Sequence, residues 1–312
     1  MTDQPAPPPA TTAGRAAVIG LGSMGFGMAQ SLRRAGFAVA GCDVDAETLA
    51  RFAAEVGRAA TSPADAAAGA DVVVSVVVNA AQTEAVLFGE NGAAAAMAAG
   101  AVFVSSATMD PKVARALAGR LTATGRLYLD APISGGAQRA AEGALTILAS
   151  GSPPAFARAR PALEAMAAKL YELGDEPGQG ASFKMINQLL AGVHIAAACE
   201  AIAFAARQGL DLRRVYEVIT ASAGNSWMFE NRVPHVLDGD YRPRSAVEIF
   251  VKDLGIIQDM ARDARFAAPV AAAALQMFLM TAGAGMGRDD DASVARLYAR
   301  VGGTRLPGEP EA

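Results

Sequence analysis

Two groups of residues in this 312-residue chain have the types and spacing that chemistry requires. The first is a G-x-G-x-x-G pattern that follows a β-branched run and opens a helical stretch. It consists of Gly20, Leu21, Gly22, Ser23, Met24 and Gly25. Such glycines permit a tight turn, a close backbone approach to a pyrophosphate at a helix N-terminus, and close helix–strand packing. The pattern therefore predicts a dinucleotide-binding loop, and a glycine turn without a ligand is the alternative.

Asp43 predicts which dinucleotide this loop binds. It ends the next apolar strand, 18 residues beyond Gly25. A carboxylate at this point can accept hydrogen bonds from the ribose hydroxyls of NAD but would repel the 2′-phosphate of NADP. Asp43 could instead cap the helix that starts near Ala46, although Asp45 is better placed for that role. The predicted cofactor is NAD.

The second group surrounds Lys184. The chain has only four lysines against 23 arginines, so a lysine here is unusual, and Asn187 and Gln188 follow it at i+3 and i+4 on the same helix face. When an alcohol gives a hydride to nicotinamide, its hydroxyl must also lose a proton. A lysine can take that proton if burial and the nearby positive ring lower its pKa from about 10.4. An exposed charge at a helix start is the alternative, but it would oppose the helix dipole.

A third stretch, DAPISGG at residues 130–136, follows an apolar strand and precedes a helical segment. Its backbone N–H groups and the hydroxyl of Ser134 could hold an anion, as helix N-termini do. A substrate carboxylate is the obvious candidate. The alternative is a glycine-rich connection that binds nothing. The predicted carboxylate cradle consists of Ser134, Gly135 and Gly136.

The elements that must position these residues follow from the alternation of apolar runs and alanine-rich stretches between Ala16 and Ser150. This alternation is typical of βαβ units on a parallel sheet. Helices are predicted over Ser23–Ala35 and after the dipeptides Ser62-Pro63 and Asp110-Pro111, each a capping residue followed by proline. The predicted strands are Ala16–Gly20, Ala38–Asp43, Asp71–Val78, Ala101–Ser105, Leu127–Asp130 and Leu145–Ala149.

After Gly180 nearly everything up to Arg300 has helical character. Ala181–Gln208 is predicted to form one helix of about 28 residues that is apolar over most of its circumference and therefore buried all round. The fold class is an α/β Rossmann domain with a parallel-sheet core, followed by an all-α domain joined by this long interdomain helix. The predicted divisions are a flexible tail at 1–14, the NAD-binding domain at 15–178, the helical domain at 179–301 and a second flexible tail at 302–312.

Composition limits the partners. A net charge of −4 without a basic stripe argues against nucleic acid. The most apolar stretch, Leu189–Ala206, contains His194 and Glu200, so a buried helix is favoured over a membrane span. Two cysteines, Cys42 and Cys199, make neither a disulfide framework nor a metal site, and no metal is expected. A cytoplasmic protein is predicted, and the apolar C-terminal helices favour a homo-oligomer.

Four motifs in order, GLGSMG, DAPISGG, GQGASFKMINQ and FVKDLG, give the chain from Ala16 to about Val301 a resemblance to the β-hydroxyacid dehydrogenases. This is the family of 3-hydroxyisobutyrate dehydrogenase and tartronate semialdehyde reductase. The resemblance implies a Rossmann domain, a helical domain joined to it by one long helix, and a lysine that exchanges the substrate hydroxyl proton, here Lys184.

The same resemblance implies roles for further residues. Ser134, Gly135 and Gly136 would hold the substrate carboxylate, Lys252 would close over the nicotinamide end, and Val78, Asn79 and Thr108 would line the cofactor. The family commonly has asparagine four residues after its lysine. Here Gln188 holds that position and Asn187 precedes it, so either amide could contact the substrate. The usual Asp-x-Ser-Thr appears as SSAT at residues 105–108, which keeps only the threonine.

Within the family, the stretches AGNSWMFENRVPHVLDGDY and SAVEIFVKDLG are similar to the subgroup that acts on L-threonate. This implies NAD-dependent oxidation of the C2 hydroxyl of a four-carbon sugar acid to the 2-oxo acid. Asn225, Ser226, Trp227 and Phe229 could select its polyhydroxyl tail, although the two aromatic residues could simply pack. The alternatives are a dehydrogenase for 3-hydroxyisobutyrate or a tartronate-like semialdehyde, and a catalytically silent dinucleotide-binding protein.

Overall fold

The computed structural model describes residues 13–308. The chain folds as two compact units, and the boundary between them lies between Lys184 and Met185. The strands are β1 Arg15–Ile19, β2 Ala38–Cys42, β3 Arg58–Ala59, β4 Val72–Ser75, β5 Val102–Ser105, β6 Leu127–Asp130, β7 Ile133–Ser134, β8 Leu145–Ala149 and β9 Ala167–Glu172.

Fourteen α-helices accompany these strands in the described part of the chain. They are α1 Gly25–Arg34, α2 Ala46–Glu55, α3 Pro63–Ala67, α4 Ala80–Phe88, α5 Ala93–Ala96, α6 Pro111–Thr122, α7 Gly136–Glu142, α8 Pro153–Met166, α9 Gln179–Arg207, α10 Leu212–Thr220, α11 Trp227–Leu237, α12 Val247–Asp263, α13 Pro269–Thr281 and α14 Val294–Gly302. A π-helical turn, Ala282–Met286, and a 3-10 turn, Asp291–Ser293, precede α14.

The first unit is built on a six-stranded sheet in the order β3-β2-β1-β4-β5-β6, and all of its strand pairs are parallel. This is the strand order of a Rossmann fold. The interior of β4 and β5 is buried because helices cover both faces of the sheet, which explains their uninterrupted apolar residues. The predicted fold class is confirmed.

A second, three-stranded sheet joins β7, β8 and β9. Of its strands only β8 follows from the sequence pattern. β7 has two residues, and β9, with the sequence AAKLYE, has only half-buried and exposed positions, so neither gives the strong apolar signal of a central strand. The same holds for the two-residue edge strand β3.

The predicted helix starts are found where capping residues precede proline. Ser62 accepts a hydrogen bond from the backbone N–H of Asp65 at the start of α3, and Asp110 does the same for Lys112 at the start of α6. α1 begins at Gly25, two residues after the predicted start. Gly36 follows this helix with φ of +91°, a conformation that glycine adopts without strain.

The second unit is helical, and no named strand occurs among its described residues, 185–308. Its core is formed by side chains of α9 and the later helices, including the stacked rings of Phe250 and Phe278, whose centroids are 5.1 Å apart. The part of the predicted C-terminal tail that is described continues this packing, since Leu306 is buried in the same core. The tail residues 1–12 and 309–312 lie outside the described residues, and the predicted domain limits stay predictions.

The prediction that the long helix is buried all round is wrong. α9 has a continuous apolar stripe on its surface, formed by exposed side chains at Phe183, Ile186, Leu190, Ala197, Ala201 and Phe204. The composition of the helix could not predict this exposure, because an apolar face has the same residues whether it packs against the core or lies on the surface. By length and hydropathy alone, α9 and the segment Pro269–Met286 could each cross a membrane, with 44% and 28% of their most apolar windows buried.

Candidate active site

The glycine-rich loop connects β1 to α1. Gly20 has φ of +91°, and a Cβ there would lie 2.7 Å from the carbonyl oxygen of Val76. A Cβ at Gly25 would overlap the carbonyl oxygen of Gly20, whereas one at Gly22 would have no neighbour within 4 Å. The first and third glycines are therefore required by the turn and by packing, and the second leaves open space. The N–H of Phe26 donates to the carbonyl oxygen of Gly22, at 3.2 Å, but no side chain caps α1, so a phosphate can bind at this helix start.

Asp43 lies beside this loop at the end of β2. Its carboxylate accepts hydrogen bonds from the backbone N–H of Leu21, at 2.5 Å, and of Asp45, at 2.9 Å. The cap of α2 is Asp45, which accepts from the backbone N–H of Thr48 at 2.9 Å. Hydrogen bonds from the Thr48 side chain and from this backbone N–H lower the pKa of Asp45. Asp45, and not Asp43, therefore caps α2. Asp43 is half-buried and fixed to the loop.

A cavity of about 300 Å³ opens beside Gly22 and Ser23. The side chains of Gln30, Thr48 and Arg51 contribute to its lining. The guanidinium of Arg51 lies over the ring of Phe26, 4.1 Å from the centroid. The loop therefore faces free space that carries a positive charge on one side, and the residues present fit a bound dinucleotide.

The loops after β4 and β5 carry the other predicted cofactor residues of this unit. Val78 is exposed, and its backbone N–H donates to Gln82 Oε1, while Asn79 caps α4 by accepting from the backbone N–H of Gln82. Thr108 is half-buried in the loop after β5. Because β1, β4 and β5 are adjacent and parallel, their carboxyl ends meet at one edge of the sheet. The structure places these residues at the same edge as the glycine-rich loop.

Lys184 and the predicted carboxylate cradle lie next to each other. Lys184 is 7% exposed, and its Nζ donates a hydrogen bond to the carbonyl oxygen of Ile133, at 2.7 Å. Ser134 follows directly, and Gly135 and Gly136 have φ of +140° and +80°. A Cβ at Gly136 would have no neighbour within 4 Å, and no side chain caps α7. A buried amine thus borders an open, uncapped helix start.

The sequence analysis did not predict the role of one pair of buried side chains, Asp130 and Ser150. Asp130 Oδ2 accepts hydrogen bonds from the backbone N–H groups of Gly178, at 2.9 Å, and Ala181, at 2.8 Å, while Ser150 Oγ accepts from the N–H of Gly180, at 2.9 Å. Burial raises the pKa of Asp130 to about 6, against the opposing effect of these hydrogen bonds. A signal was present in the sequence, because Gly178-Gln179-Gly180 opens a helix without any residue that could cap it locally.

In the second unit Lys252 forms an ion pair with Asp253 on α12. Asp253 is buried and also accepts a hydrogen bond from Gln188 Nε2, at 2.5 Å. Gln188 Oε1 in turn accepts from Asn187 Nδ2, at 3.0 Å. Both polar atoms of the Gln188 side chain are therefore used in hydrogen bonds. Asn187 is exposed, and these hydrogen bonds involve its Nδ2 but not its Oδ1.

Among the residues considered for the substrate tail, Phe229 is buried and stacks on Tyr216, with ring centroids 6.1 Å apart. Ser226 caps α11, and Trp227 is half exposed. Packing thus accounts for Phe229 but not for Trp227. Within residues 13–308 no group of three potential metal-ligating His, Cys, Asp or Glu side chains occurs.

Two family models match the chain. Residues 15–174 match the NAD-binding domain of 6-phosphogluconate dehydrogenase. Residues 178–298 match the NAD-binding domain of NADP-dependent 3-hydroxyisobutyrate dehydrogenase. The chain belongs to the 3-hydroxyisobutyrate dehydrogenase family. It is accordingly an NAD-binding hydroxyacid dehydrogenase with a small-molecule hydroxy acid as substrate.

Relatives in this family are similar over almost the whole chain. A protein of Cupriavidus necator named L-threonate dehydrogenase is 56% identical over 94% of this chain and 98% of its own length. One of the same name from Haemophilus influenzae is 48% identical over 91% of this chain and 95% of its own. A crystal structure of a Salmonella typhimurium protein titled 3-hydroxyisobutyrate dehydrogenase is 49% identical, with a TM-score of 0.87, and covers 91% of this chain and 99% of the other.

Family membership confirms the resemblance inferred from the four sequence motifs and the predicted class of enzyme. It does not test the individual residue roles. The first unit assembles Lys184 with Ser134, Gly135 and Gly136, and it assembles Asp43 with the glycine-rich loop. The second unit holds Lys252, Asn187 and Gln188.

Proposed function

We propose that this dehydrogenase oxidises the C2 hydroxyl of L-threonate, a four-carbon sugar acid, to the 2-oxo acid with NAD as cofactor. The observation that carries this proposal is the 56% identity to an L-threonate dehydrogenase over 94% of the chain. The arrangement of Lys184 beside an uncapped, glycine-rich turn supports the chemistry.

The substrate carboxylate binds at Ser134, Gly135 and Gly136. The two glycines hold positive φ angles that turn the backbone into α7, and the helix start has no side chain to satisfy its N–H groups. Such N–H groups favour an anion both by hydrogen bonding and through the helix dipole. A carboxylate fixed here brings the neighbouring hydroxyl-bearing carbon towards Lys184.

Lys184 accepts the substrate hydroxyl proton at Nζ. Its hydrogen bond to the carbonyl oxygen of Ile133 fixes the direction of the amine, and the neutral form of the amine takes the proton on its nitrogen. NAD, when bound, supplies the hydride acceptor. The glycine-rich loop would hold its pyrophosphate and Asp43 its adenosine ribose. Val78, Asn79 and Thr108 would line the cofactor, and Lys252 is the residue that we propose for its nicotinamide end.

Of the two amides after Lys184, we assign substrate contact to Asn187. Gln188 is buried and uses both polar atoms on Asp253 and Asn187, so it serves to hold Asp253 and the neighbouring amide in place. Asn187→Ala is expected to raise KM for the hydroxy acid with little change in NAD affinity. An unchanged KM would remove Asn187 from the substrate site.

Oxidation of 3-hydroxyisobutyrate is the second candidate, favoured by the Salmonella typhimurium structure of that title. The two functions are separated by measuring kcat/KM from NADH absorbance with L-threonate, D-threonate and 3-hydroxyisobutyrate, and in reverse with tartronate semialdehyde. A site built to bind several hydroxyls should favour L-threonate over 3-hydroxyisobutyrate by at least about 100-fold, since buried polar groups would otherwise lack partners. A higher kcat/KM for 3-hydroxyisobutyrate would overturn the proposal, and NAD binding without any turnover would favour a silent protein.

We also infer a homo-oligomer, with the apolar stripe of α9 as the contact. The spacing of its six residues reads the same in both directions, 3-4-7-4-3. Two antiparallel copies of the helix would therefore place Leu190 opposite Ala197, Ile186 opposite Ala201 and Phe183 opposite Phe204, large side chains largely against small ones. Leu190→Glu should lower the molar mass measured by light scattering, and an unchanged mass would exclude this face.

The proposed location is the cytoplasm, and membrane and nucleic acid are not proposed as partners. The free thiols of Cys42 and Cys199 are buried, which suits a reducing compartment. Recovery of the enzyme in the membrane fraction of lysed cells would contradict the location. It would also redirect attention to the apolar faces of α9 and Pro269–Met286.

A further inference from the structure

The start of α9 poses a problem of hydrogen bonding. The first N–H groups of any helix lack intrahelical partners, and Gly178, Gly180 and Ala181 are buried where water cannot substitute. Gly178 and Gly180 have no side chain, so the partners must come from elsewhere in the fold. They come from Asp130 and Ser150, which are 1% and 0% exposed.

We propose that Asp130 and Ser150 form a clamp that sets the position of Lys184 relative to the carboxylate cradle. The clamp is the set of three hydrogen bonds that these two side chains accept from the start of α9. Asp130 and Ser150 are positioning residues, since they act through Lys184 rather than on the substrate. The proposal rests on the proposed function, in which Lys184 accepts the substrate proton.

The two ends of the clamp belong to the two parts of the site. Asp130 is the last residue of β6 and precedes Ser134 by four residues, while Ala181 precedes Lys184 by three on α9. Further along the helix, Lys184 bonds to the carbonyl oxygen of Ile133. The segment that contains the cradle is thus joined to α9 at two points, one at the helix start and the other at the reacting amine itself.

The backbone around the clamp is held equally firmly. Asp130 and Ser150 exchange backbone hydrogen bonds of 3.0 Å and 2.8 Å, and Ser150 Oγ lies 3.4 Å from Asp130 Oδ2. A Cβ at Gly180 would overlap the carbonyl oxygen of Leu148, so only glycine lets the helix approach β8 this closely. The GQG motif therefore has a steric cause that is separate from any ligand.

Other capping aspartates of this protein differ from Asp130. Asp45 and Asp211 are exposed and accept from N–H groups two or three residues further along their own chain segments. Asp130 instead reaches residues 48 and 51 positions away. The charged and titratable groups that act on its carboxyl are Arg115 of α6 and Tyr128 of β6. A local cap would suffice for helix stability alone, whereas this long-range cap also fixes distant segments to each other.

Asp130→Ala should lower kcat by about 10- to 100-fold, because displacement of the proton acceptor by up to about 1 Å has effects of this size. The Kd for NADH should change by less than about 2-fold, since the glycine-rich loop is held by other contacts. Asp130→Asn keeps an acceptor oxygen of the same shape and should restore most of kcat. Ser150→Ala removes one of the three bonds and should have an intermediate effect.

Two matched controls remove helix caps that have no connection with Lys184. Asp211→Ala uncaps α10, where the side chain also accepts from two backbone N–H groups, and Ser62→Ala uncaps α3. Both should lose stability while kcat stays unchanged. If Asp130→Ala does not fold, Asp130→Asn and Ser150→Ala carry the test.

A double-mutant cycle with Lys184→Met identifies the route of the effect. If the clamp acts through Lys184, adding Asp130→Ala or Ser150→Ala to Lys184→Met should change the residual rate by less than about 2-fold. The proposal is overturned if the single variants match their controls in kcat. It is also overturned if their losses of kcat persist in the Lys184→Met background. Near-normal turnover of Lys184→Met alone would instead overturn the proposed function, so the two failures are distinguishable.

Discussion

The starts of α1 and α9 lie in the same unit but differ in how their N–H groups, which lack partners within the helix, are satisfied. α1 has no side-chain cap, and a Cβ at the neighbouring Gly22 would have no protein atom within 4 Å. At the start of α9 three N–H groups are taken by the buried side chains of Asp130 and Ser150. An open helix start can receive a phosphate, and a closed one can only anchor. The uncapped start of α1 is therefore suited to binding a ligand, and the capped start of α9 is suited to positioning a residue of the site.

α7 belongs with α1 in this comparison, because its N-cap residue, Gly135, has no side chain either. In the same unit, four other helices are closed by a side chain of their N-cap residue: Asp45, Ser62, Asn79 and Asp110. The start of α8 carries Pro153 and Pro154, which have no N–H to satisfy. The short helix α5, whose N-cap is Gly92, also lacks a side-chain cap. Of the uncapped starts without proline, those of the longer helices α1 and α7 coincide with the proposed cofactor loop and carboxylate cradle.

The largest effect is expected at the open start of α1. A Cβ at Gly25 would overlap the Gly20 backbone, so Gly25→Ala should displace the loop and weaken NADH binding by at least about 100-fold, the size of a loss of 2–3 kcal/mol. NADH fluorescence titration measures this affinity.

Gly22→Ala is the matched control, because its Cβ would meet no protein atom within 4 Å. This variant should keep its melting temperature and lose affinity only for the dinucleotide. Normal NADH affinity of Gly25→Ala, or a large fall in the melting temperature of Gly22→Ala, would break the assignment of the three glycine roles.

The closed start of α9 predicts a pH dependence that an open start lacks. Burial raises the pKa of Asp130 to about 6 in the folded state, from 3.8, so its stabilising effect is present at low pH and lost as pH rises to about 6. Between pH 4 and 7, the free energy of unfolding relative to Asp130→Asn should fall by about 2 kcal/mol. Urea unfolding of both proteins at a series of pH values measures this difference.

Ser62→Ala provides the reference for that measurement, because it uncaps α3 without touching the clamp or removing a titratable group. Its free energy of unfolding should differ from that of the unsubstituted protein by an amount that stays constant across the same pH range. A constant difference for Asp130→Asn as well would contradict a buried carboxyl with a raised pKa.

A smaller effect is expected from Asp43, which lies next to the open start of α1. Asp43→Ala removes the ribose acceptor and the charge that repels a 2′-phosphate, so the preference for NAD over NADP, measured as the ratio of kcat/KM values, should fall by about 10-fold. Asp45→Ala, which removes the adjacent helix cap, should leave the ratio unchanged. Equal ratios for Asp43→Ala and the unsubstituted enzyme would reject the role of Asp43.

The uncapped starts of α1 and α7 could be predicted from the sequence, whereas the capping of α9 by Asp130 and Ser150 could not. Gly20–Gly25 and Ser134–Gly136 are local patterns that follow apolar strands, and the structure places Lys184 beside the second of them. The bond from Asp130 to Gly178 joins residues 48 positions apart, and only the paired strands bring them together. Likewise, the exposure of Phe204 on α9 depends on what packs around the helix, which hydropathy does not record.

The central claim is that Lys184 takes the substrate proton beside the carboxylate cradle, and the turnover of Lys184→Met tests it most directly. Methionine keeps the length and apolar stem of lysine but cannot accept the proton. We expect kcat to fall by at least about 100-fold, with NADH affinity and melting temperature close to those of the unsubstituted enzyme. Turnover within a few-fold of normal in a folded, NADH-binding Lys184→Met protein would contradict it.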